Sequence, residues 1–371
     1  MAETVEAVQL LSVDGELRTD DVAAEYLPYV SALRDEELRQ FHRDMVITRR
    51  FDVEATNLQR QGQLALWPPS HGQEAAQVGS ARAARRQDHI FPSYREHSIA
   101  MIRGVDVIDI VRLMRGVTNG GWNPSDHNNF HLYTLVLGSQ ALHATGYAMG
   151  IALDGDSGTG DPDTDQAVMV YFGDGATSQG DVSEALVFAA SFQTPQVFFL
   201  QNNHWAISVP VKVQSRTPLY LRSGGFGIPG VQIDGNDVLA SYAVARKNLE
   251  EARSGQGPRM IEALTYRIGA HTTSDDPSKY RLDDELTTWV ARDPILRYER
   301  FLRSRGEGDS FFDDVAAEAE DFAADVRART MELQIPSVDM IFDNVYSEPH
   351  PLMDAQKQWL ADYEASFGAE A

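Results

Sequence analysis

Two short runs of apolar residues in the middle of the chain carry no polar alternation. They read AVMVYF at residues 167–172 and QVFFL at residues 196–200. An unbroken apolar run of this length is typical of a strand buried on both faces of a sheet. Residues 182–192 between them have helical composition, and Asp181 is the expected N-cap. The pattern predicts two parallel strands joined by a helix, with a right-handed crossover.

Apolar positions at helical spacing predict a long helix over residues 35–61 and an alanine-rich helix over residues 74–84. Further helices are predicted at 106–115, 142–153, 238–252 with Asp237 as cap, 283–305, 312–333 and 354–363. Further strands are predicted at 227–237 and 259–266, with strand ends at 90–91 and 134–137. This alternation predicts an α/β fold with a mostly parallel sheet flanked by helices.

The chain shows no domain-scale linker after its first 33 residues. Residues 34–371 are therefore expected to form one α/β domain, with a helical C-terminal part from about residue 283. Residues 1–33 lack strong periodicity, apart from a short strand expected at 8–13. They are expected to form an N-terminal arm, and a disordered tail is the alternative.

Composition narrows the classes of partner. The 371 residues carry a formal net charge of -23, which argues against nucleic acid and anionic membrane as partners. The absence of cysteine excludes disulfides and thiolate chemistry. No apolar run approaches the roughly 20 residues of a membrane helix, and the N-terminal sequence has no signal pattern. A cytoplasmic location is the expectation.

Polar groups follow directly after both central strands. The sequence Gly173-Asp174-Gly175-Ala176 follows the first strand, and Asn202-Asn203 follows the second. Because the carboxyl ends of parallel strands meet at one edge of a sheet, Asp174 and Asn203 are expected to lie close together. A carboxylate, an amide oxygen and glycines that permit a sharp turn and close backbone approach suit Mg²⁺ holding a diphosphate. No Gly-Lys-Ser/Thr follows, so this is not a Walker A loop.

The spacing of these groups resembles the thiamine-diphosphate motif of transketolase-like enzymes. About 26 residues separate Gly173-Asp174-Gly175 from Asn202-Asn203. Other segments resemble the α subunit of the E1 component of 2-oxo acid dehydrogenases over roughly residues 35–345. These segments are FPSYRE at 91–96, GSQ at 138–140, residues 171–181, NHWAIS at 203–208 and residues 267–281.

The resemblance implies thiamine diphosphate and Mg²⁺ as cofactors. It implies that Asp174, Asn203 and the backbone carbonyl of Trp205 bind the metal ion, and that His271 is catalytic. Gln201 stands where some relatives have an arginine that reaches the phosphate. Residues implied to contact the cofactor are Tyr94, Arg95, Leu137, Gly173, Asp174, Gly175, Ala176, Gln201, Asn203, Trp205, Ile207 and His271.

Tyr94 and Arg95 would hold the diphosphate, which suits the bidentate geometry of arginine. Leu137 and Ile207 would support the aminopyrimidine and the bent shape of the cofactor. His271 would stabilise or protonate the reacting group, or assist transfer to a lipoyl group.

The resemblance also implies partners and a reaction. The chain is too short to hold a second, pyrimidine-binding domain, so a separate E1 β subunit is expected, in an α2β2 heterotetramer. The expected reaction is oxidative decarboxylation of a 2-oxo acid with transfer of the acyl group to a lipoylated E2. The sequence of residues 271–277 favours branched-chain 2-oxo acids, with pyruvate as the alternative. Acetoin cleavage and a noncatalytic scaffold are more distant alternatives.

Overall fold

A parallel five-stranded sheet forms the centre of the molecule. The computed structural model describes residues 7–118, 120–343 and 345–367. The sheet has the strand order β1-β2-β3-β7-β6, and every pairing in it is parallel. A two-stranded antiparallel ribbon, β4-β5, lies outside it. The strands are β1 His89–Phe91, β2 Val168–Gly173, β3 Gln196–Asn202, β4 Trp205–Ala206, β5 Val209–Pro210, β6 Gly230–Asp234 and β7 Arg259–Leu264.

Helices surround this sheet, and the expected α/β class is confirmed. The helices are α1 Asp21–Ala24, α2 Leu27–Ser31, α3 Asp35–Arg60, α4 Glu74–Ala83, α5 His97–Ile102, α6 Val107–Arg115, α7 Ser139–Asp154, α8 Gly180–Phe192, α9 Val211–Gln214, α10 Leu221–Gly224, α11 Val238–Arg253, α12 Asp283–Val290, α13 Pro294–Ser304, α14 Asp309–Met331, α15 Met340–Asp343 and α16 Pro351–Ala365. Short 3₁₀ helices cover Pro124–His127, Asp174–Ser178 and Pro277–Lys279.

The two faces of the sheet belong to two apolar cores. Alternate residues of β2 and β3, such as Met169 and Phe199, face a core shared with α3, α4 and α11. The intervening residues, such as Val170 and Phe198, face a second core shared with α7 and α8. Because both faces are covered, every residue of β3 is buried. This is why the sequence shows continuous apolar runs rather than alternation.

Helices α7, α14 and α16 each begin three residues before their predicted starts, and two further predictions about helix ends were wrong. Helix α8 begins at Gly180 with Gln179 at its N-cap, so Asp181 lies within the first turn instead of capping it. An acidic residue there still interacts favourably with the helix dipole. The single helix expected over 283–305 is two helices, because Pro294 starts the second one and Asp293 caps it.

Two predicted strands were also wrong. Residues 134–137 form no strand, because no neighbouring strand pairs with them. Leu135 and Val136 in this segment are exposed. Residues 8–13 contribute only isolated bridges, of which one joins Val8 to Ile233 at the edge strand β6.

The described part of the N-terminal segment packs on the body of its own chain. The backbone N–H groups of Leu10 and Leu11 donate to Oδ2 of Asp237 at 2.7 and 2.6 Å. The guanidinium of Arg297 is buried and donates to the carbonyl of Ser12 at 2.9 Å and to Asp234 at 2.8 Å. These contacts cover the edge of β6, which would otherwise expose unpaired backbone groups.

His42 on α3 offers a test of how α3 packs against α14. Its ring lies 5.7 and 5.1 Å from the rings of Phe311 and Phe312, and neither ring nitrogen has a hydrogen-bond partner among the described residues. Burial lowers the pKa of His42 to about 4. Between pH 7 and pH 5 the unfolded chain therefore takes up a proton that the folded chain does not, which should reduce the free energy of unfolding by about 2 kcal/mol.

Urea unfolding at the two pH values measures this loss. In the His42→Leu variant the decrease in stability from pH 7 to pH 5 should be smaller by about the same 2 kcal/mol. Identical pH dependence in the wild type and the variant would contradict this account of the His42 environment.

Candidate cofactor-binding site

The carboxyl ends of β2, β3 and β7 open into one cleft. The register places Gly173 beside Gln201, and Asn202 beside Leu264, so these strands end at the same level. The cleft offers about 740 Å³ of empty space, including its mouth, which is open to solvent. All twelve residues that the sequence analysis assigned to the cofactor line it. The lining is Gln73, Ser93, Tyr94, Arg95, Glu96, Leu137, Gln140, Gly173, Asp174, Gly175, Ala176, Gln201, Asn203, Trp205, Ala206, Ile207 and His271.

Asp174 is a buried carboxylate at the floor of this cleft. It follows β2 directly and begins a short 3₁₀ helix, and its side chain is 1% exposed. Nε2 of Gln214 donates to its Oδ2 at 2.9 Å. Burial raises the pKa of Asp174 to about 6, against the opposing effect of the Gln214 hydrogen bond. Burial destabilises the charged form of this carboxylate, and a bound cation would stabilise that form again.

Asn203 lines the same cleft as Asp174. Its Nδ2 donates to Oε1 of Gln73 at 3.3 Å, which fixes the orientation of the amide. Oδ1 receives one long hydrogen bond, from the backbone N–H of Trp205 at 3.3 Å. The second lone pair of this oxygen remains for a ligand in the cleft.

The backbone after Asn203 is held in a strained shape by Arg267. His204 and Ile207 have φ values of 70° and 54°, which is uncommon for a β-branched residue such as isoleucine. Arg267 donates to the carbonyl oxygens of Trp205 at 3.0 Å and Ile207 at 2.7 Å. The Trp205 carbonyl, expected to bind metal, therefore already accepts one hydrogen bond and keeps a second lone pair.

Packing explains the second glycine of the motif. The chain turns directly after β2 into the 3₁₀ helix Asp174–Ser178, as expected. Gly173 has an ordinary φ of -88°, and Gly175 is not among the residues with positive φ, so neither glycine is needed for its backbone conformation. A Cβ atom on Gly175 would lie 2.8 Å from the Cβ of Ala206. Glycine is needed at residue 175 because the segment after β2 lies directly against β4.

Two buried arginines without a direct ion pair flank His271. Arg95 lines the cleft and donates to the carbonyl oxygens of Pro69 at 2.6 Å and His271 at 3.0 Å. Arg267 is fully buried behind the lining and donates to Tyr280 at 2.9 Å in addition to the two carbonyls. In the part of the chain that the structure describes, neither guanidinium forms an ion pair with a carboxylate, and Asp275 acts on Arg267 only from a longer distance. A buried guanidinium without a direct ion pair favours an anionic ligand.

His271 lies between these arginines. Its Nδ1 is 3.3 Å from Nη2 of Arg95 and 3.3 Å from Nη1 of Arg267. Arginine can only donate, so Nδ1 is the acceptor and the proton of the neutral ring is on Nε2. Burial, followed by the charges of Arg95 and Arg267, lowers the pKa of His271 to about 3. Without an anion in the cleft, His271 is therefore a neutral hydrogen-bond donor.

Gln201 belongs to a buried amide network beside the cleft. Its Nε2 donates to Oε1 of Glu96 at 2.6 Å, and its Oε1 accepts from Gln77 at 3.1 Å. Glu96 also accepts from Oγ of Ser93 at 2.8 Å. Burial raises the pKa of Glu96. Both ends of the Gln201 amide thus form hydrogen bonds within the protein. An arginine at this position would instead add a positive charge.

Sequence reasoning missed Arg267, Gln73 and Glu96 as parts of the site. Arg267 could have been found, because it follows the end of the strand β7 at the sheet edge that carries Asp174 and Asn203. Glu96 could also have been found, because it directly follows Arg95 in the segment FPSYRE. Gln73 gave no such signal, since it reaches the cleft from a segment in which no site residue was predicted.

Tyr94 contacts His271 edge-on, with 6.2 Å between ring centroids.

Residues 42–325 match the family described as the dehydrogenase E1 component. The chain therefore belongs to this family, among the α subunits of 2-oxo acid dehydrogenases, which are oxidoreductases. Membership of this family implies thiamine diphosphate as cofactor. No helix in the described residues is long and apolar enough to cross a membrane.

Individual relatives refine this assignment. The chain is 42% identical over 363 residues to the 3-methyl-2-oxobutanoate dehydrogenase subunit alpha of Mycobacterium tuberculosis, covering 97% of this chain and 95% of the relative. It is 36% identical over 331 residues to the pyruvate dehydrogenase E1 component subunit alpha of Acholeplasma laidlawii, covering 87% and 92%. The corresponding Staphylococcus aureus subunit is 35% identical over 303 residues, covering 81% and 78%.

The environment of His271 predicts a measurable titration. We expect imidazole ¹⁵N NMR to show the Nε2-protonated neutral ring throughout pH 5 to 8, because burial and two guanidinium groups keep its pKa near 3. The Arg95→Met variant should raise the pKa of His271 but leave it below 6.5, since burial is the larger cause. His271→Asn assigns the signal, and a wild-type His271 that titrates near pH 6.5 would contradict the geometry.

Proposed function

We propose that this chain holds thiamine diphosphate and Mg²⁺ in the cleft and, together with an E1 β subunit, decarboxylates a branched-chain 2-oxo acid oxidatively. The acyl group would pass to the lipoyl group of an E2 acyltransferase. One observation carries the proposal. The buried oxygen donors of Asp174 and Asn203 share a cleft with Arg95, whose guanidinium, like that of Arg267, has no carboxylate partner in the described chain.

The donor set suits the proposed magnesium ion. Asp174, the Oδ1 of Asn203 and the carbonyl of Trp205 are hard oxygen ligands, and each has a lone pair directed away from its hydrogen bonds within the protein. The described residues contain no group of three His, Cys, Asp or Glu side chains that could hold a metal ion. Magnesium needs no such group, because phosphate oxygens and water complete its octahedron.

The arginines suit the proposed diphosphate. Arg95 and Arg267 place two positive charges around His271, and neither forms a direct ion pair with a carboxylate, so an anion beside them would be stabilised. Asp275, which accepts a hydrogen bond from the backbone N–H of His271, offsets only part of this charge from a longer distance. The backbone of Gly173, Gly175 and Ala176 lies at the same cleft and can approach phosphate oxygens closely. Gln201 adds no charge here, so Arg95, the arginine that lines the cleft, is the proposed phosphate contact, and Arg267 contributes its charge from behind the lining.

His271 is the proposed catalytic residue. Thiamine diphosphate, when bound, supplies the electron sink that decarboxylation requires. His271 holds a proton on Nε2 and is fixed in orientation by the two arginines at Nδ1. A diphosphate beside these arginines would offset their charge and raise the pKa of His271 toward neutrality. His271 would then donate a hydrogen bond from Nε2 to an oxygen of the bound substrate and stabilise the negative charge that develops on it.

A second subunit is supported by the apolar surface at the cleft mouth. Leu137 and Ile207 are 40% and 50% exposed although both line the cleft, and the neighbouring Leu135 and Val136 are 67% and 71% exposed. Exposed apolar patches beside a site mark interaction surfaces. We propose that a β subunit covers them in an α2β2 heterotetramer. Because no glutamate of this chain is assigned to the aminopyrimidine, we propose that the β subunit supplies the glutamate that contacts it.

The substrate proposal follows the relatives. The 3-methyl-2-oxobutanoate enzyme subunit is more similar to this chain, and over a longer alignment, than the two pyruvate dehydrogenase subunits. Branched-chain 2-oxo acids are therefore the first candidate. Pyruvate is the second, because pyruvate dehydrogenase subunits still match more than four-fifths of the chain.

Reduction of an artificial electron acceptor tests this function. The chain co-purified with its β subunit should turn over 3-methyl-2-oxobutanoate only with thiamine diphosphate and Mg²⁺. Its kcat/KM should exceed that for pyruvate by about tenfold or more, because added methyl groups fill an apolar pocket. The His271→Ala control should keep cofactor affinity but lower turnover by roughly 10²- to 10⁴-fold. A preference for pyruvate would support the second candidate, and no activity with either would overturn the proposal.

The raised pKa of Asp174 predicts a pH dependence of metal binding. A protonated carboxyl cannot bind Mg²⁺, so magnesium-dependent binding of thiamine diphosphate should weaken about tenfold per pH unit below about pH 6. Asp174→Asn should weaken this binding by about 100-fold or more at pH 7 and remove its pH dependence near 6. Isothermal titration calorimetry measures both effects on the complex with the β subunit.

The matched control is Asp163→Asn in an exposed surface loop, which should leave the affinity unchanged. Equal affinities for the wild type and Asp174→Asn would remove Asp174 from the metal site.

A further inference from the structure

A second cavity lies behind the loop that carries His271. It offers about 890 Å³ of empty space, including its mouth, which is open to solvent. His271 lines the cofactor cleft, whereas its neighbours Ala270 and Thr272 line the second cavity, so residues 269–275 form a wall between the two. The second cavity is lined by Arg49, Asp52, Val53, Thr56, Asn57, Arg60, Pro69, His71, Gly269, Ala270, Thr272, Thr273 and Asp275.

One face of helix α3 forms another wall of the second cavity. Its lining residues from Arg49 to Arg60 recur at intervals of three and four positions, which places them on a single helical face. The opposite face carries Phe51, Ala55 and Leu58 into the apolar core. Helix α3 therefore presents a mostly polar face to a cavity that two loops close from the other side.

The carboxylates of the second cavity already have hydrogen-bond donors. Asp52 is buried and accepts from Nε1 of Trp67 at 3.0 Å, and from the backbone N–H and the hydroxyl of Ser70 at 2.7 and 2.8 Å. Asp275 accepts from the backbone N–H of His271 at 2.9 Å. Since these oxygens are engaged within the protein, the second cavity is poorly suited to a cationic ligand.

Several donors in the second cavity have no partner. In the part of the chain that the structure describes, the side chains of Asn57, Arg60 and His71 form no hydrogen bond and no ion pair. Nη2 of Arg49 is buried and also lacks a partner, although the other nitrogens of this guanidinium form ion pairs. Burial lowers the pKa of His71, so its neutral ring donates from one nitrogen. Unpaired donors of these types favour an anion with two acceptor oxygens.

An apolar surface adjoins these donors. Val53 is 49% exposed, and Pro69 and Ala270 line the same cavity. A carboxylate with a short branched chain matches both parts, because its oxygens accept from the unpaired donors while its methyl groups contact the apolar surface. Inorganic phosphate would leave the apolar surface unused.

Hydrogen bonds tie the wall between the two cavities to the segment that precedes α4. The backbone N–H of Ile268 donates to the carbonyl of His71 at 3.1 Å, and the backbone N–H of Thr273 donates to the carbonyl of Trp67 at 2.9 Å. These two bonds hold both ends of the loop that carries His271. A ligand that contacts His71 and the loop together would stabilise this arrangement.

The same segment reaches the cofactor cleft. The carbonyl of Pro69 accepts from Arg95 at 2.6 Å, and Arg95 also donates to the carbonyl of His271 at 3.0 Å. Occupancy of the second cavity is thus connected to the orientation of His271 through its own loop and through Arg95.

We propose that the second cavity binds a short branched-chain carboxylate, and that its occupancy fixes the loop that carries His271. This inference goes beyond the proposed function, but the choice of carboxylate rests on the 2-oxo acid substrate proposed there. The second cavity is a regulatory site in this proposal, since no residue of its lining except those of the shared wall adjoins the cleft residue His271.

Binding of 3-methylbutanoate to the full-length chain tests this site. The probe has the carboxylate and the branched chain but no 2-oxo group, so it is not turned over. Calorimetry at pH 7 and constant ionic strength should show that Arg60→Gln combined with His71→Gln weakens binding by about tenfold or more. Arg86→Gln, which changes an exposed arginine outside the second cavity, is the matched control and should bind as the wild type does.

Two further measurements locate the probe and its effect. Arg95→Met removes the arginine of the cofactor cleft and should retain most of the affinity. The imidazole ¹⁵N signal of His271 should shift when 3-methylbutanoate saturates the wild type, and should stay in place in the Arg60→Gln, His71→Gln variant at the same concentration. Inorganic phosphate should bind about tenfold more weakly than 3-methylbutanoate, because it lacks the apolar contact.

The contrary results are distinct. Equal affinities of the wild type and the double variant would overturn the site, and a loss confined to Arg95→Met would place the probe in the cofactor cleft. Phosphate that binds as tightly as 3-methylbutanoate would overturn the carboxylate class. Binding without a shift of the His271 signal would overturn the regulatory role. None of these measurements uses thiamine diphosphate or the β subunit, so a failure of the proposed function would be seen separately, as absent cofactor-dependent turnover.

Discussion

The parallel pairing of the five strands is the constraint on which the rest of the structure depends. Parallel strands run in one direction, so the backbone leaves β2, β3 and β7 at a single edge. Asp174, Asn203 and Arg267 come from three separate segments of the sequence and reach one cleft for this reason. The same pairing requires helices on both faces, which yields two apolar cores and leaves the polar groups at the strand ends.

Electrostatics at this edge has two opposite parts. At the floor, burial makes the charged form of Asp174 costly and raises its pKa. Beside it, Arg95 and Arg267 are buried without carboxylate partners, and they keep His271 neutral. An excess of positive charge at one end and a destabilised carboxylate at the other suit a ligand that is both anionic and bound to a cation. A magnesium diphosphate has this character, and either half alone would leave one part unbalanced.

Some segments at the outer surface pack on the α/β domain, and others leave large apolar side chains exposed. The N-terminal residues from Val8 onward cover the edge of β6. Asp237 accepts hydrogen bonds from their backbone N–H groups, and Arg297 donates to the carbonyl of Ser12. The cleft mouth and residues 345–367 instead expose leucine, valine and aromatic side chains. An exposed apolar surface of this extent suits a chain that works within an assembly.

The sequence by itself determined the fold class, the two central strands and most helices, because burial on both faces and helical periodicity leave a direct record in residue order. It also brought Asp174 and Asn203 together, since the rule for parallel strands applies without side-chain detail. Local cues failed where neighbouring structure decided the outcome. Residues 134–137 pair with no strand, and glycine at residue 175 is required by the contact with Ala206 rather than by a positive φ.

The remaining features depend on contacts between residues far apart in sequence. Arg267 fixes the strained backbone at Ile207, and Gln73 orients Asn203 across 130 positions of the chain. The protonation state of His271 follows from two guanidinium groups at 3.3 Å, one of them from a residue 176 positions away. Residue order records which groups are present at the cleft, but their orientation and pKa values arise from packing, and only the tertiary structure decided them.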